Sequence, residues 1–301
     1  MLTPPYLKKG DTIGIVSPAA GILPERLENA EQVIASYGYK VVTGKHAASA
    51  RHQYAGTDAE RAADFQRMLD DDRVKMILCS RGGYGSVRII DRLDFSRFAK
   101  QPKWIVGYSD ITVFHAHLFG NYGIETLHAT MPLNFGNYGE EDHSVGLLFA
   151  AASGEKIRYE TTTGSLNRTG KADARLVGGN LSVLCSLAGS RSDVDTLGKV
   201  LFLEDVGEHL YRLDRMLWTL KRAGKLKNLA GLIVGGLTAM TDNEPGFGKT
   251  PREIIAEAVS QYDYPVCFGF PAGHQPENYP LIIGRKVILE VSEDKTTIEF
   301  S

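Results

Sequence analysis

Cysteine, tryptophan and net charge are all scarce in this chain of 301 residues. There are 3 cysteines, 2 tryptophans, and a formal charge of −2 from 34 basic and 36 acidic side chains. Three widely separated cysteines, Cys79, Cys185 and Cys267, cannot build a disulfide framework or a zinc cluster. Each lies in an apolar run and reads as a core thiol. A balanced charge without a basic run argues against nucleic acid as the main partner. Long apolar stretches are missing too. The longest segment without a charged residue, Leu176–Ser190, contains three glycines and an asparagine and is shorter than the ~20 apolar residues of a membrane-spanning helix. No positively charged segment followed by an apolar h-region opens the chain, so a secretory signal is not expected and a cytoplasmic location is. No HExxH and no Cys/His cluster occurs, so neither a metal nor another cofactor is expected.

What is present is an alternation of strands and helices. Apolar runs predict strands at Thr12–Val16, Lys40–Thr43, Val74–Cys79 and Trp104–Val106. Apolar residues spaced three and four apart predict helices at Pro24–Tyr37, Asp58–Leu69 and Ile111–Phe119. Such an order builds parallel βαβ units, with ligands beyond the carboxyl ends of the strands. The pattern weakens after Pro132, where 136–141 reads as a loop, and residues 154–173 are polar. This places an N-terminal α/β domain at 1–153, a linker at 154–173 and a C-terminal domain at 174–301. The second half carries a strand at Val200–Leu203, a helix near Leu210–Ala223, a strand at Gly231–Val234, a helix at Pro251–Tyr262 and a hairpin over Lys286–Phe300.

The chemistry-bearing residues gather at strand ends. In Lys103-Trp104-Ile105-Val106-Gly107-Tyr108-Ser109-Asp110 a strand runs into a tight turn just before a helix. That is the layout of a nucleophile elbow, although the G-x-S-x-G spacing is absent and Ser109 or Asp110 reads equally as a helix cap. Ser80-Arg81-Gly82-Gly83-Tyr84-Gly85 is a glycine-rich turn that brings backbone N–H groups close to a ligand. It lacks the third glycine of a dinucleotide fingerprint, since position 88 is Arg88. Gly246-Phe247-Gly248-Lys249-Thr250 fails the P-loop spacing at Asn243; Thr250 with Glu253 is a capping box instead. Leu203-Glu204-Asp205 ends an apolar strand on two carboxylates, which read either as ion-pair partners of Arg212 and Arg215 or as an acid orienting a histidine. His274 lies in a loop rich in Pro and Gly and is either a base or merely exposed. His115 and His117 are two apart on one helix and face different sides. Together these residues supply a hydroxyl, an acid, a base and backbone donors, a set suited to acyl transfer without a metal.

The chain resembles the LD-carboxypeptidases, the muramoyltetrapeptide carboxypeptidase family of serine peptidases. The resemblance rests on Leu7-Lys8-Lys9-Gly10-Asp11-Thr12-Ile13-Gly14-Ile15-Val16-Ser17-Pro18-Ala19, the Arg81–Gly85 loop, Gly107-Tyr108-Ser109-Asp110, Gly178-Gly179-Asn180-Leu181, Leu203-Glu204-Asp205 with Asp214-Arg215, and Gly273-His274 with Pro280 and Gly284. It implies a doubly wound, mostly parallel α/β N-terminal domain, a smaller β-rich α/β C-terminal domain and a homodimer. It also implies a triad of Ser109, His274 and Glu204, an oxyanion hole from the N–H groups of Gly83 and Asp110, and a small murein peptide as substrate, cut before its terminal D-alanine. Arg81, then Arg212, is expected to hold the substrate carboxylate. Glu208, expected one helical turn from Glu204, is matched to a substrate amine. Two rivals stand beside this reading. Microcin C immunity peptidases share a similar triad but need an aromatic platform for adenine, and Trp104 and Trp218 sit in a strand and a helix. A catalytically silent ligand-binding α/β module would keep the cleft without turnover.

Overall fold

Short apolar strands flanked by amphipathic helices leave two hydrophobic faces per sheet to be covered, and the chain covers them from both halves. The computed structural model describes residues 1–136 and 143–301. The loop expected over 136–141 therefore lies, from 137 on, outside the described residues.

The first half runs β1 (Thr12–Val16), α1 (Pro24–Ser36), β2 (Lys40–Thr43), α2 (Asp58–Asp70), β3 (Val74–Cys79), α3 (Ser86–Ile89), α4 (Ser96–Lys100), β4 (Trp104–Gly107), α5 (Thr112–Tyr122), β5 (Thr126–His128) and α6 (His143–Ser153). The second runs β6 (Arg158–Thr162), β7 (Gly170–Asn180), α7 (Leu181–Leu187), β8 (Val200–Val206), α8 (Leu210–Arg222), β9 (Gly231–Thr238), α9 (Pro251–Ala258), β10 (Val266–Phe268), β11 (Leu281–Ile283), β12 (Lys286–Val291) and β13 (Lys295–Phe300). The fold is a mixed α/β one, with one parallel-rich sheet and a second β-rich sheet.

The first sheet has the order β11-β5-β4-β3-β1-β2. Its strands from β5 to β2 are parallel, and β11 is antiparallel to β5 through Leu281–His128, Ile282–Leu127 and Ile283–Thr126. A strand of the second half thus completes the sheet of the first. The second sheet has the order β10-β9-β8-β7-β12-β13-β6. β7 divides it. Its last residues pair in parallel with β8, and its first residues pair antiparallel with β12. The polar stretch 154–173 is no bare tether, because it supplies β6 and the first residues of β7. Strand-edge residues alternate between solvent and core, which is why the stretch reads as polar.

α5 lies between the two sheets and is buried nearly all round, from Thr112 to Leu118. His115 and His117 do face different sides, yet both are buried. His115 contacts Thr126 Oγ1 and the Gly107 carbonyl at 2.8 Å each, and His117 Nδ1 lies 2.9 Å from Ser192 Oγ. Cys79 and Cys267 are core residues, whereas Cys185 is half-buried on α7. The capping box at Thr250 and Glu253 starts α9, which stops at Ala258 rather than Tyr262. Among the described residues no helix is long and apolar enough to cross a membrane.

Candidate active site

β4 ends at Gly107, and the chain turns at once into a single 3-10 turn, Ser109–Ile111, before α5 begins. The turn holds Ser109 at φ +63°, in the left-handed region that costs an L-residue about 1–2 kcal/mol. A non-glycine residue kept there between a strand and a helix is the backbone signature of a nucleophile elbow.

Ser109 Oγ lies 3.1 Å from His274 Nε2, and His274 Nδ1 lies 2.6 Å from Glu204 Oε2. The same carboxylate oxygen accepts the His274 backbone N–H at 3.2 Å. The three side chains come from three separate segments: Ser109 just after β4, Glu204 inside β8, and His274 on the loop between β10 and β11. Glu204 is fully buried and Asp205 nearly so. Successive residues of a strand face opposite ways. Asp205 accordingly turns toward α7, where it accepts the N–H of Ser182 at 2.9 Å and the Asn180 side-chain amide at 3.0 Å. Burial first, and then the neighbouring Glu204 charge, push the Asp205 carboxyl up to about 6 against its hydrogen bonds. Burial alone would lower the His274 pKa. The hydrogen bond to Glu204, followed by the charges of Glu204 and Asp205, outweighs it, and the net shift is upward from 6.5. The Tyr108 ring stands edge-on to the His274 ring, 4.9 Å between centroids, and closes one side of it.

The glycine loop after β3 lies against this serine. A Cβ placed on Gly82 would stand 2.9 Å from Ser109 Oγ and 3.3 Å from the Asp110 nitrogen, so only glycine permits the approach. Among the described residues, no protein acceptor takes the N–H of Gly83 or of Asp110. The Asp110 carboxylate is buried and accepts the Ser86 N–H at 2.8 Å. The cap that Ser109 or Asp110 was expected to give the following helix is absent: α5 starts without a side-chain cap, and the Asp110 carboxylate reaches instead to the start of α3, while its backbone N–H stays open toward the loop.

Arg81 donates to the Gly21 carbonyl at 3.2 Å, and its buried Nε has no partner among the described residues. Glu208 is not one helical turn from Glu204. β8 continues as far as Val206, and Glu208 lies in the turn before α8. The extended strand takes the place of the expected helical turn because its end is paired with β9 through Asp205–Leu237 and Val206–Thr238. Glu208 Oε2 sits 3.2 Å from Arg212 Nε, so the acid and the base offered for opposite ends of a substrate are paired with each other. Sequence reasoning missed Tyr108, Asn278, which accepts the Gly273 N–H at 2.9 Å, and Arg61, which is buried in α2. Arg61 had a readable signal: it falls four residues before Phe65 and seven before Met68, within the apolar stripe of its helix. Among the described residues no group of three or more His, Cys, Asp or Glu is placed to hold a metal ion.

A strand-end serine held at positive φ, facing a histidine backed by a buried acid, is an arrangement that serine hydrolases share, peptidases among them. The chain belongs to the LD-carboxypeptidase family: its N-terminal domain model matches residues 13–129 and its C-terminal domain model residues 173–289. It is 35% identical to the probable murein peptide carboxypeptidase of Bacillus subtilis (strain 168), over 98% of this chain and 94% of that protein. The crystal structure of muramoyltetrapeptide carboxypeptidase from Oxalobacter formigenes superposes with a TM-score of 0.88 at 27% identity, covering 96% of this chain and 98% of the other. A microcin C7 self-immunity protein in complex with aspartyl sulfamoyl adenosine matches with a TM-score of 0.89 at 22% identity, over 99% and 98% of the two chains, a likeness of fold.

Proposed function

We propose that this carboxypeptidase is a serine LD-carboxypeptidase that releases the terminal D-alanine from cytosolic murein tetrapeptides, with Ser109, His274 and Glu204 as its triad. The observation that carries the reading is the unbroken chain Ser109 Oγ–His274–Glu204, at 3.1 and 2.6 Å, on a serine in the left-handed region.

In this reading His274 Nε2 takes the hydroxyl proton as Ser109 Oγ attacks the carbonyl carbon before D-alanine. Glu204 keeps the proton of His274 on Nδ1 and stabilises the imidazolium. The N–H groups of Gly83 and Asp110 receive the oxyanion, each worth roughly 3 kcal/mol in comparable sites. The imidazolium then protonates the leaving amine of D-alanine, and water, deprotonated by the same histidine, releases the acyl group. Arg81 is assigned to the substrate carboxylate. It adjoins Gly82, which lies against Ser109. Glu208 and Arg212 are weaker assignments, since each already neutralises the other. A homodimer belongs to the same reading.

Ser109→Ala tests the whole. Product analysis by mass spectrometry on defined tetrapeptides should show D-alanine release lowered by a factor on the order of 10⁴ or more, with an unchanged circular dichroism spectrum. Unchanged release by the folded variant would refute the triad. The second reading, cleavage of aminoacyl sulfamoyl nucleotides, is favoured by the likeness to microcin C7 self-immunity proteins in sequence and in fold. Trp104 is wholly buried and Trp218 is on α8, so neither is a platform at the triad. The same assay with an aminoacyl sulfamoyl adenosine separates the two.

A further inference from the structure

Arg61 is an expensive residue to bury. A guanidinium taken out of water must be both neutralised and hydrogen-bonded, or it destabilises the fold. Here only 2% of Arg61 is exposed. Its Nη2 pairs with Asp58, one turn away at the start of α2. Its Nη1 donates to two carbonyls, Pro18 and Gly85, the latter at 3.0 Å. Asp58 is in turn held in the fork of Arg88 at 2.9–3.1 Å. The fan of one planar group toward two carbonyls and a carboxylate is a geometry that arginine satisfies and lysine does not.

Both carbonyls lead to the oxyanion donors. The Pro18–Ala20 segment is the floor under the glycine loop: Ala20 donates its N–H to the Gly82 carbonyl at 3.2 Å, and a Cβ on Gly83 would stand 2.8 Å from Ala20 Cβ. Gly85 leads to Ser86, whose N–H is taken by the Asp110 carboxylate at 2.8 Å. One guanidinium is therefore one short linkage away from each candidate donor, Gly83 through Pro18–Ala20 and Asp110 through Gly85–Ser86.

We propose that Arg61 is the positioning residue of the oxyanion hole, fixing the Gly83 and Asp110 N–H groups by clamping the Gly85 carbonyl to the Pro18 carbonyl. This rests on the serine-peptidase reading above and deepens it. Arg61 touches no reacting atom, so its removal must act on the step where charge develops on the carbonyl oxygen and not on ground-state binding. The charge of Arg61 also opposes the effect of burial on Asp110, whose carboxyl burial raises, and so favours the ionised form that accepts the Ser86 N–H.

The experiment compares wild type, Ser109→Ala and Arg61→Lys on D-alanine release from the tetrapeptide. It also measures affinity for a boronic acid that carries boron in place of the scissile carbonyl carbon. Arg61→Lys keeps the buried positive charge but not the two-carbonyl grip. It should lower kcat about 10²-fold, the scale of one lost oxyanion donor, with KM within about twofold. Boronate affinity should fall by the same factor. A wild-type kcat, or a loss carried by KM alone, overturns the proposal. Should Arg61→Lys not fold, Arg61→Met takes its place. It removes the buried charge and every donor to the two carbonyls while Asp58 keeps Arg88, and the same kcat loss at unchanged KM is expected, with a wild-type kcat overturning the proposal. If Ser109→Ala still releases D-alanine, the serine-peptidase reading itself fails. If Ser109→Ala is dead and Arg61→Lys is wild-type, only the clamp fails.

Discussion

Glu204 acts on His274 from a site with no access to solvent, and this sets the pH behaviour. In the proposed triad His274 must be neutral to accept the serine proton, and its pKa is shifted upward from the ordinary 6.5. The acid limb of kcat/KM is therefore expected above pH 6.5, with activity rising as the imidazole loses its proton. Glu204→Gln removes the hydrogen bond to a carboxylate and the nearer of the two charges, leaving burial opposed only by Asp205. The acid limb of this variant should move to lower pH while kcat falls by about 10⁴. A pH–rate profile of both proteins measures the shift, and an unmoved limb would mean that Glu204 does not govern the imidazole. Ser109, Glu204 and His274 were legible because each stands at the end of an apolar run or in a loop, where chemistry is reachable. Glu204 and Asp205 are one pleat apart and face opposite ways, and it is Glu204 that meets His274. For Arg61 the spacing to Phe65 and Met68 makes burial legible but not the two carbonyls it grips, which come from distant loops.

At the scale of elements, the site depends on how β7 meets α5. A Cβ on Gly179, which has φ +143°, would lie 2.5 Å from Thr112 Oγ1, and Thr112 Oγ1 accepts the Asn180 N–H at 3.0 Å. Asn180 is the register partner of Glu204, so this contact joins the helix behind Ser109 to β7, the neighbour of the strand that carries the acid. Gly179→Ala should cost roughly 1–3 kcal/mol through overpacking, with more from the backbone, and should lower kcat by separating Ser109 from Glu204. Urea denaturation read beside turnover checks both. An alanine variant of full stability and activity would show that the two elements are not coupled here. The strands β1, β2 and β3 have the bounds that their apolar runs predict; for β1 and β3 this is because buried parallel strands need continuous hydrophobicity, while β2 is a half-buried edge strand. β5, β10 and β11 are three residues each, too short for any periodicity to register. The strands within 154–173 were not legible for a different reason: β6 is an edge strand and the first residues of β7 are mostly open to water, so both segments are polar.

Across the whole molecule, the exchange of β11 into the first sheet makes the two halves one structure. Leu281, Ile282 and Ile283 are buried against β5, while β12 a few residues later belongs to the other sheet. Unfolding should therefore be a single event. Trp104 emission, which reports the first sheet, and far-ultraviolet circular dichroism should trace coincident urea transitions. A Trp104 transition separated from the bulk signal would show that the halves unfold independently. The near-zero net charge of −2 also fits a small substrate held by individual groups better than one steered by a charged face.

The double grip of Glu204 on His274 has a practical corollary. The acid holds the backbone amide of residue 274 as well as its ring, and the carbonyl of that residue is fastened by Thr238 Oγ1 at 2.6 Å. The loop is thus moored by its main chain, independently of the imidazole. Deleting the ring in His274→Ala should leave an unaltered mould around the missing base: a chain that still admits its peptide, cannot turn it over, and can be crystallised with the intact substrate in place.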